Sequence, residues 1–333
     1  MIDPAEATPL GRTALRVTRV GLGTAPLGGL YAPVSDEVAH ATFGRAWELG
    51  LRFFDTAPLY GHGLSERRVG AALAGRPRHE LVLATKVGRL LRAGAPPDDS
   101  RLSGGLDRWP DAPPVNPVFD FSYDGVLRSV AESLERLGLD RVDVLHIHDP
   151  DEHYEEALAG AYRALDRLRA EGTIGAVGAG MNRTEMLVRF AREAEFDCFL
   201  VAGRYTLLDQ SALAELLPLC LERGVAVILG GVYNSGILAE PRPGATYDYS
   251  VAPPQLLERA RRIAGVCERH DVPLKAAALQ FPLAHPAVTS LLLGARSVAE
   301  LEENLTLLRI ELPAELWTEL RRERLLPAEA PTP

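Results

Sequence analysis

Hydrophobic positions along the chain fall into short aliphatic runs separated by longer stretches with helical periodicity. The short runs are apolar at consecutive positions and rich in β-branched residues, as expected for parallel strands that are buried on both faces. The pattern predicts eight strands, at residues 17–23, 53–56, 81–87, 142–148, 176–179, 198–202, 226–229 and 290–293.

Amphipathic stretches follow these runs, and several begin at a residue that suits a helix N-terminus. Ser35 precedes Asp-Glu, and Ser65 and Thr184 each precede Glu. A side-chain oxygen at this place accepts a hydrogen bond from a free backbone amide. The predicted helices cover residues 36–49, 65–73, 123–137, 154–170, 184–194, 211–223, 254–270 and 298–308.

The alternation of strands and helices predicts a (β/α)8 TIM barrel of the α/β class. We expect one domain over residues 1–333, with a core from about residue 15 to 310 and partly frayed termini. A doubly wound sheet is the alternative. It is disfavoured because Pro26 interrupts the glycine-rich segment after the first strand and no helix follows for nine residues.

Two connections are longer than usual, a proline-rich segment at residues 88–121 and a tyrosine-containing segment at residues 230–253. Both follow predicted strands, so on a barrel they lie over the C-terminal face, where such loops shape ligand sites. A disordered insertion is the alternative for residues 88–121.

Composition narrows the class of protein. Hydrophobic residues make up 47% of the chain and charged residues 24%, which is typical of a globular protein. The net charge of −9 comes without any block of basic residues, so we expect neither nucleic acid nor an acidic membrane as a partner. With no apolar run of about 20 residues and no secretory signal, a cytoplasmic location is expected.

The three cysteines, Cys198, Cys220 and Cys267, are widely spaced and form no CxxC motif. This spacing favours neither a disulfide framework nor a zinc site, and no metal is expected.

Four residues that can move protons are predicted to meet at one mouth of the barrel. Asp55, Lys86 and His148 end three consecutive predicted strands, and Tyr60 follows Asp55 by five residues. The carboxyl ends of barrel strands converge on one face. Each residue alone has an ordinary structural explanation, but four at equivalent positions favour a site.

The chemistry of these four groups suits proton transfer. An ammonium next to the Tyr60 phenol is expected to lower its pKa, and Asp55 would offset the desolvation of Lys86. His148 could then hydrogen-bond the reacting oxygen. Since the set contains neither a strong nucleophile nor a metal, hydride transfer with a bound cofactor is the predicted reaction.

The segments around these residues resemble those of the aldo-keto reductases. Residues 50–61, GLRFFDTAPLYG, resemble the family's aspartate and tyrosine motif, residues 84–87 its lysine strand and residues 142–150 its histidine strand. The resemblance, from about residue 15 to 308, implies a (β/α)8 barrel that binds extended NAD or NADP. It also implies that Asp55, Tyr60, Lys86 and His148, rather than His146, are catalytic.

The same resemblance implies where the cofactor binds. The turn at residues 293–297 and the helix after it are similar to the segment that holds the adenosine half. Glu300 stands where many NADP-dependent members have an arginine, so NAD is slightly favoured, although Arg296 leaves dual use open. The implied cofactor contacts are Gly23, Thr24, Asp55, Asn182, Gly230, Gly294, Arg296, Ser297, Glu300, Glu303 and Asn304.

Three positions depart from the common family pattern. Gly180-Met181 replaces the usual Ser-Asn pair, Ala202 replaces a glutamine, and Gly230-Gly231 replaces a stacking aromatic. For this reason Asn182 and Gly230 are the residues expected beside the nicotinamide.

Residues 86–91, 178–182, 230–238 and 280–286 together resemble one branch, the bacterial L-fucose or D-threo-aldose 1-dehydrogenases and their pyridoxal 4-dehydrogenase relatives. The branch implies oxidation of an anomeric hydroxyl to an aldonolactone, with Tyr60 as acid and base.

Pyridoxal oxidation, general aldehyde or ketone reduction and a cofactor-binding regulatory barrel are the alternatives to aldose oxidation. The chain is expected to act on a small sugar or aldehyde as a monomer or homo-oligomer. The expected substrate contacts are His62, Arg89, Trp109 and Tyr233.

Overall fold

Eight parallel strands close into a barrel in the computed structural model, which describes residues 2–96 and 108–333. Each strand pairs with the next one along the barrel, and the eighth pairs with the first. The predicted (β/α)8 barrel is confirmed. In chain order the strands are Val20–Gly23, Phe53–Asp55, Val82–Val87, Val144–His148, Ala176–Met181, Cys198–Ala202, Ala226–Gly230 and Val288–Gly294.

Helices cover the outside of the barrel. A π-helical segment, Ala157–Tyr162, joins two of them into one continuous element. The α-helices are Asp36–Glu48, Leu64–Leu73, Tyr123–Leu137, Tyr154–Glu156, Arg163–Ala170, Thr184–Glu193, Leu216–Arg223, Pro254–Arg269, Leu274–Gln280, Val298–Leu307 and Ala314–Arg322. Short 3-10 turns occur at Pro26–Gly28, Arg78–Glu80, Asn234–Gly236 and Phe281–Ala284.

The helix starts differ in part from the predicted ones. Ser35 caps its helix by accepting a hydrogen bond from the Val38 amide. Ser65 lies inside its helix instead, because its hydroxyl bonds the Thr24 hydroxyl at 2.6 Å. Thr184 is the first helical residue and makes no cap bond.

The helix predicted at residues 211–223 begins at Leu216. The residues before it form turns, and the Ser211 amide donates to the Asp209 carboxylate at 2.9 Å. Leu274–Gln280 and Ala314–Arg322 are helices that the sequence pattern did not predict.

An N-terminal hairpin closes one end of the barrel. Strands Ala7–Pro9 and Arg16–Thr18 pair antiparallel, so the predicted strand at residues 17–23 is divided at Arg19. Leu10 and Val17 of this hairpin are fully buried and pack with the apolar residues of the barrel interior. The hairpin therefore acts as an apolar plug.

Alternation along the strands separates an apolar interior from a polar mouth. In the third strand Val82, Ala84 and Lys86 occupy alternate positions and thus face the same side, the barrel interior. Val82 and Ala84 belong to the apolar interior cluster, whereas Lys86 lies nearer the carboxyl end. The same change occurs in the fourth strand, from Val144 to His148.

The two long loops both contain antiparallel hairpins. Arg89–Ala93 pairs with Val115–Phe119 in the first loop, and Thr246–Tyr247 pairs with Ser250–Val251 in the second. Part of the first loop, residues 97–107, lies outside the described residues.

The C-terminal segment packs against the last helix. Ala330 is buried, and its carbonyl accepts a hydrogen bond from Arg321 Nη2 at 2.8 Å. The same nitrogen donates to Thr332 Oγ1 at 3.0 Å. The Arg321 guanidinium thus connects the C-terminal segment to the last helix.

Over residues 2–96 and 108–333, none of the helices combines the length and the apolar character needed to cross a membrane.

Candidate active site

A buried ion pair lies at the bottom of the barrel mouth. Lys86 Nζ donates to Asp55 Oδ1 at 2.6 Å and to the Thr56 carbonyl at 2.9 Å. The side chains of Lys86 and Asp55 are 1% and 3% exposed. Removing either charge would leave the other buried without a partner, so the two groups stabilise each other only as a pair.

Tyr60 lies above this pair on a tight turn. The Lys86 ammonium is 4.6 Å from the centre of the Tyr60 ring. Gly61 has a φ of 60°, and a Cβ there would meet the Gly28 carbonyl oxygen at 2.2 Å. Only glycine fits this turn, and the turn sets the position of Tyr60.

His148 completes the group from the end of the fourth strand. Its ring meets the Tyr60 ring edge-on, with centres 5.9 Å apart and planes at 89°. The structure thus brings together the four residues that the sequence predicted, Asp55, Tyr60, Lys86 and His148.

The pKa of Tyr60 shifts in the direction opposite to the expected one. Burial raises the pKa of the phenol well above its usual value, and the Asp55 and Asp149 carboxylates raise it further. The expected lowering of this pKa by the Lys86 ammonium is wrong for the protein alone, because burial is the largest influence on the phenol. Tyr60 is therefore a neutral phenol in the protein alone.

The ion pair itself resists these effects of burial. Burial raises the pKa of Asp55 and lowers the pKa of Lys86, while the attraction between the two groups opposes both shifts. The 2.6 Å contact between Lys86 Nζ and Asp55 Oδ1 thus offsets part of the desolvation of both groups.

Two histidines of the fourth strand have different places. Burial lowers the pKa of His148 well below its usual value, and the positive charges of Arg89 and Lys86 add to the shift. His148 is thus a neutral imidazole that lines the mouth. His146 is fully buried two residues earlier in the strand, and burial lowers its pKa to about 3.

A cavity of about 300 Å³ opens beside Tyr60 and His148, and we name it the catalytic cavity. The expected substrate residues Arg89 and Trp109 line it, and the Trp109 ring centre is 5.9 Å from that of Tyr60. Its wall is formed by Ala25, Leu30, Leu59, Tyr60, Lys86, Arg89, Arg108, Trp109, His148, Asp149, Asp151, Gly180, Met181, Asn182, Leu200, Ala202 and Tyr249.

Two expected substrate residues lie elsewhere. His62 Nδ1 bonds the Val115 carbonyl at 2.7 Å and so ties the first hairpin to the Tyr60 turn. Tyr233 lines the neighbouring hollow described below instead of the catalytic cavity, and its hydroxyl donates to Asn304 Oδ1 at 2.7 Å. The His62 bond thus connects two loops, and the Tyr233 bond connects the second long loop to the helix Val298–Leu307.

Sequence reasoning missed four polar or aromatic residues of this cavity, Arg108, Asp149, Asp151 and Tyr249. Asp149 could have been found, since it directly follows His148 at the end of a strand. Arg108 and Tyr249 lie in the two long loops, where no periodicity indicates which side chains face inward.

A second hollow of about 320 Å³ meets the catalytic cavity at Tyr60, and we name it the glycine groove. Of the expected cofactor residues, Gly23, Thr24, Asp55, Gly230 and Gly294 line the groove.

The floor of the glycine groove leaves room for a ligand. A Cβ at Gly230 would meet Leu200 at 3.6 Å and otherwise point into open space. Asp55 Oδ2 is buried and has no hydrogen-bond partner among the described residues. A hollow with an unpaired acceptor beside Tyr60 fits the nicotinamide end of a dinucleotide.

The expected adenosine residues lie on and before the helix Val298–Leu307. Ser297 caps this helix, its hydroxyl accepting from the Glu300 amide at 3.2 Å. The Glu300 carboxylate binds the Arg296 guanidinium at 2.9 Å and its backbone amide at 2.9 Å. Arg296 is thus already paired, and a phosphate near it would meet the Glu300 charge.

Two further adenosine residues also have partners. Glu303 pairs with Lys275 at 2.8 Å, and Asn304 accepts from Tyr233. Asn182, expected at the nicotinamide, lines the catalytic cavity, and its carbonyl accepts from Arg204 Nε at 2.8 Å.

Comparison with known proteins agrees with this geometry. Residues 19–323 match the Aldo/keto reductase family. The chain is 44% identical over 331 residues to D-threo-aldose 1-dehydrogenase of Pseudomonas sp., covering 98% of both chains. It is 45% identical over 344 residues to pyridoxal 4-dehydrogenase of Microbacterium luteolum, covering 98% of this chain and 99% of that relative.

A solved structure shows the same architecture. The holo form of aldo-keto reductase AKR11C1 from Bacillus halodurans has a TM-score of 0.74 and 26% identity, covering 98% of this chain and 97% of that chain. The resemblance seen in the sequence motifs is confirmed. With its closed barrel and its buried Asp55–Lys86 pair beneath Tyr60, this chain is an oxidoreductase that belongs to the aldo/keto reductase family.

Proposed function

We propose that the protein oxidises the anomeric hydroxyl of an aldose, such as L-fucose or another D-threo-aldose, to the aldonolactone with NAD(P)+. The observation that carries the proposal is the catalytic cavity, in which Tyr60 and His148 face a wall that contains Arg89 and Asp149. Charged groups of both signs suit a neutral substrate with many hydroxyls, because each hydroxyl can donate and accept.

The chain's own residues would handle the proton. A bound oxidised nicotinamide would supply the hydride acceptor and a positive charge. That charge favours the phenolate, so Tyr60 can take the proton of the anomeric hydroxyl. Lys86 stabilises the phenolate, and the neutral His148 hydrogen-bonds the reacting oxygen.

Residues of the glycine groove would hold the cofactor. We assign Gly23, Thr24, Asp55 and Gly230 to its nicotinamide half, with Asn182 at the edge of the catalytic cavity. The end of the eighth strand and the helix after it would take the adenosine half, through Gly294, Arg296, Ser297, Glu300, Glu303 and Asn304.

NAD is favoured over NADP because of the Arg296–Glu300 pair. Glu300 accepts hydrogen bonds from both the guanidinium and the backbone amide of Arg296. Burial raises the pKa of the Glu300 carboxyl, but these bonds and the charge of Arg296 outweigh burial, so the pKa lies below its usual value. The site therefore presents a carboxylate, which repels the 2′-phosphate of NADP.

Pyridoxal oxidation is the second candidate. It is favoured by the 45% identity to pyridoxal 4-dehydrogenase and by the aromatic rings of Tyr60 and Trp109, which lie 5.9 Å apart at 34°. A flat heteroaromatic substrate could pack against these rings, with the same four residues handling the proton.

Absorbance of the reduced nicotinamide tests the proposal. The protein is mixed with NAD+ or NADP+ and, in separate wells, L-fucose, other D-threo-aldoses, unrelated aldoses and pyridoxal. We expect a rise with L-fucose or another D-threo-aldose, and a faster one with NAD+. A rise with pyridoxal alone would replace the proposed substrate.

A further inference from the structure

We infer that Asp149 is a specificity-determining residue that accepts a hydrogen bond from the substrate hydroxyl adjacent to the reacting one. The inference rests on the proposed aldose oxidation and extends it to a named contact. It predicts a substrate class, neutral molecules that carry a hydroxyl on the carbon next to the reacting carbon.

The backbone aims Asp149 into the catalytic cavity. Its φ is 43°, in the left-handed region, and its amide donates to the Gly180 carbonyl at 3.0 Å. Aspartate tolerates this conformation better than most residues, and such backbone strain is typical of functional sites. The carboxylate consequently lies beside His148, with Oδ2 at 3.5 Å from His148 Nε2.

Arg89 fixes the orientation of the carboxylate. Its Nη2 donates to Asp149 Oδ2 at 3.3 Å and its Nη1 to the His148 carbonyl at 3.2 Å. The guanidinium also lies 4.8 Å from the centre of the Phe119 ring, and the Arg89 side chain is 9% exposed. The His148 carbonyl and the Phe119 ring hold this buried arginine, and the arginine in turn holds Oδ2 of the carboxylate.

One oxygen of Asp149 remains for a ligand. Both contacts above are made to Oδ2, and within the described part of the chain no hydrogen bond is made to Oδ1. The side chain is 34% exposed and lines the catalytic cavity. Oδ1 is thus a free acceptor on a residue that lines the catalytic cavity.

The position of Asp149 selects which substrate group it meets. His148 is the residue that bonds the reacting oxygen, and Asp149 lies next to the same imidazole. A donor that reaches Asp149 is therefore close to the reacting oxygen, as the hydroxyl on the neighbouring carbon of an aldose would be. An anionic group there would be repelled by the carboxylate.

The second carboxylate of the cavity provides a control. Asp151 lines the same cavity, but its Oδ1 binds Arg183 Nε at 2.5 Å. Asp151 is thus held in an ion pair with Arg183, and we propose no contact between Asp151 and the substrate.

The test compares an aldose with its 2-deoxy analogue in the wild-type protein and in Asp149→Asn and Asp151→Asn. Asparagine keeps the size of the side chain and tolerates the positive φ. We expect the wild-type kcat/KM to favour the full aldose by about tenfold or more, the usual effect of a hydrogen bond to a charged group. Asp149→Asn should remove most of this preference through KM, and Asp151→Asn should keep it.

Each other outcome contradicts the inference. If the wild-type enzyme oxidises both sugars equally well, the inference is wrong, and no variant is needed to show it. Asp149→Asn that keeps the full preference would show that the carboxylate makes no such contact. If kcat falls equally for both sugars, Asp149 only positions His148. A protein that oxidises neither sugar fails the proposed function itself, and the inference falls with it.

Discussion

The chain has two lysines, and they form ion pairs of similar length in very different surroundings. Lys86 binds Asp55 at 2.6 Å in the proposed catalytic centre with its side chain 1% exposed. Lys275 binds Glu303 at 2.8 Å beside the helix expected to hold adenosine, with its side chain 33% exposed. Distance alone does not distinguish them.

Burial makes the difference. Breaking the Lys86 pair leaves a charge in a place where water cannot reach it, whereas the partner of Lys275 is hydrated at once. The proposed catalytic centre is therefore fixed by the fold, while the proposed adenosine site depends on exposed charges that can be exchanged. The predictions below test this contrast.

Lys86→Met should give the largest effect. We expect kcat for aldose oxidation to fall by about 10²-fold to 10⁴-fold, because the phenolate of Tyr60 loses its stabilising charge. The free energy of unfolding should fall by about 3–5 kcal/mol, because Asp55 is left unpaired. Steady-state kinetics and urea unfolding measure the two effects.

Lys275→Met is the matched control for this substitution. It should change the free energy of unfolding by no more than about 1 kcal/mol and leave kcat unchanged. Equal losses in the two variants would show that burial does not distinguish the pairs.

Gly61→Ala should separate the position of Tyr60 from its chemistry. The new Cβ would lie 2.2 Å from the Gly28 carbonyl oxygen, so the turn must move. We expect kcat to fall by about 10²-fold, because the moved turn displaces Tyr60 from its place.

Gly138→Ala provides the comparison, since Gly138 also has a positive φ, 62°, but nothing lies within 4 Å of the added atom. It should cost about 1 kcal/mol of stability and no activity. Retained activity in Gly61→Ala would mean that the turn does not position Tyr60.

The raised pKa of Tyr60 predicts opposite pH dependences for the two directions of reaction. Oxidation needs the phenolate, so its kcat/KM should rise with pH throughout the neutral and alkaline range. Reduction needs the neutral phenol, so its rate should not fall through ionisation of Tyr60 anywhere in the measured range. Initial rates in both directions, from pH 6 to about 10, measure this. A rate of oxidation that falls with rising pH would contradict the assignment.

Glu300→Arg should have the smallest effect, a shift of the kcat/KM ratio toward NADP by about tenfold or less, because the group is partly exposed. Glu302→Gln is the control. Glu302 lies on the same helix and pairs with Arg45, so this variant removes a charge without changing the ratio of kcat/KM for the two cofactors. An unchanged ratio in Glu300→Arg would remove Glu300 from the cofactor site.

The sequence predicts the buried parts of this molecule better than its exposed parts. The barrel strands and the four central residues follow from aliphatic runs that end in a polar group, a pattern that burial imposes. Arg108 and Tyr249 could not be found, because the conformation of the long loops decides which of their side chains turn inward. Tyr233 was predicted for the substrate, and its bond to Asn304 depends on contact between distant segments.

The pKa of Tyr60 shows a different limit to what the sequence can predict. The sequence indicates that Lys86 lies near the phenol, but the direction of the shift depends on how much solvent is excluded and on Asp149. Both of these are properties of the folded structure rather than of any one motif.

The central claim is that Tyr60 moves the proton during hydride transfer, and Tyr60→Phe tests it most directly. The measurement is kcat for aldose oxidation together with the cofactor Kd from nucleotide-induced fluorescence quenching. We predict a fall in kcat of about 10²-fold or more, with the cofactor Kd unchanged, because the ring remains and only the hydroxyl is lost. A kcat close to that of the wild-type protein would contradict the account.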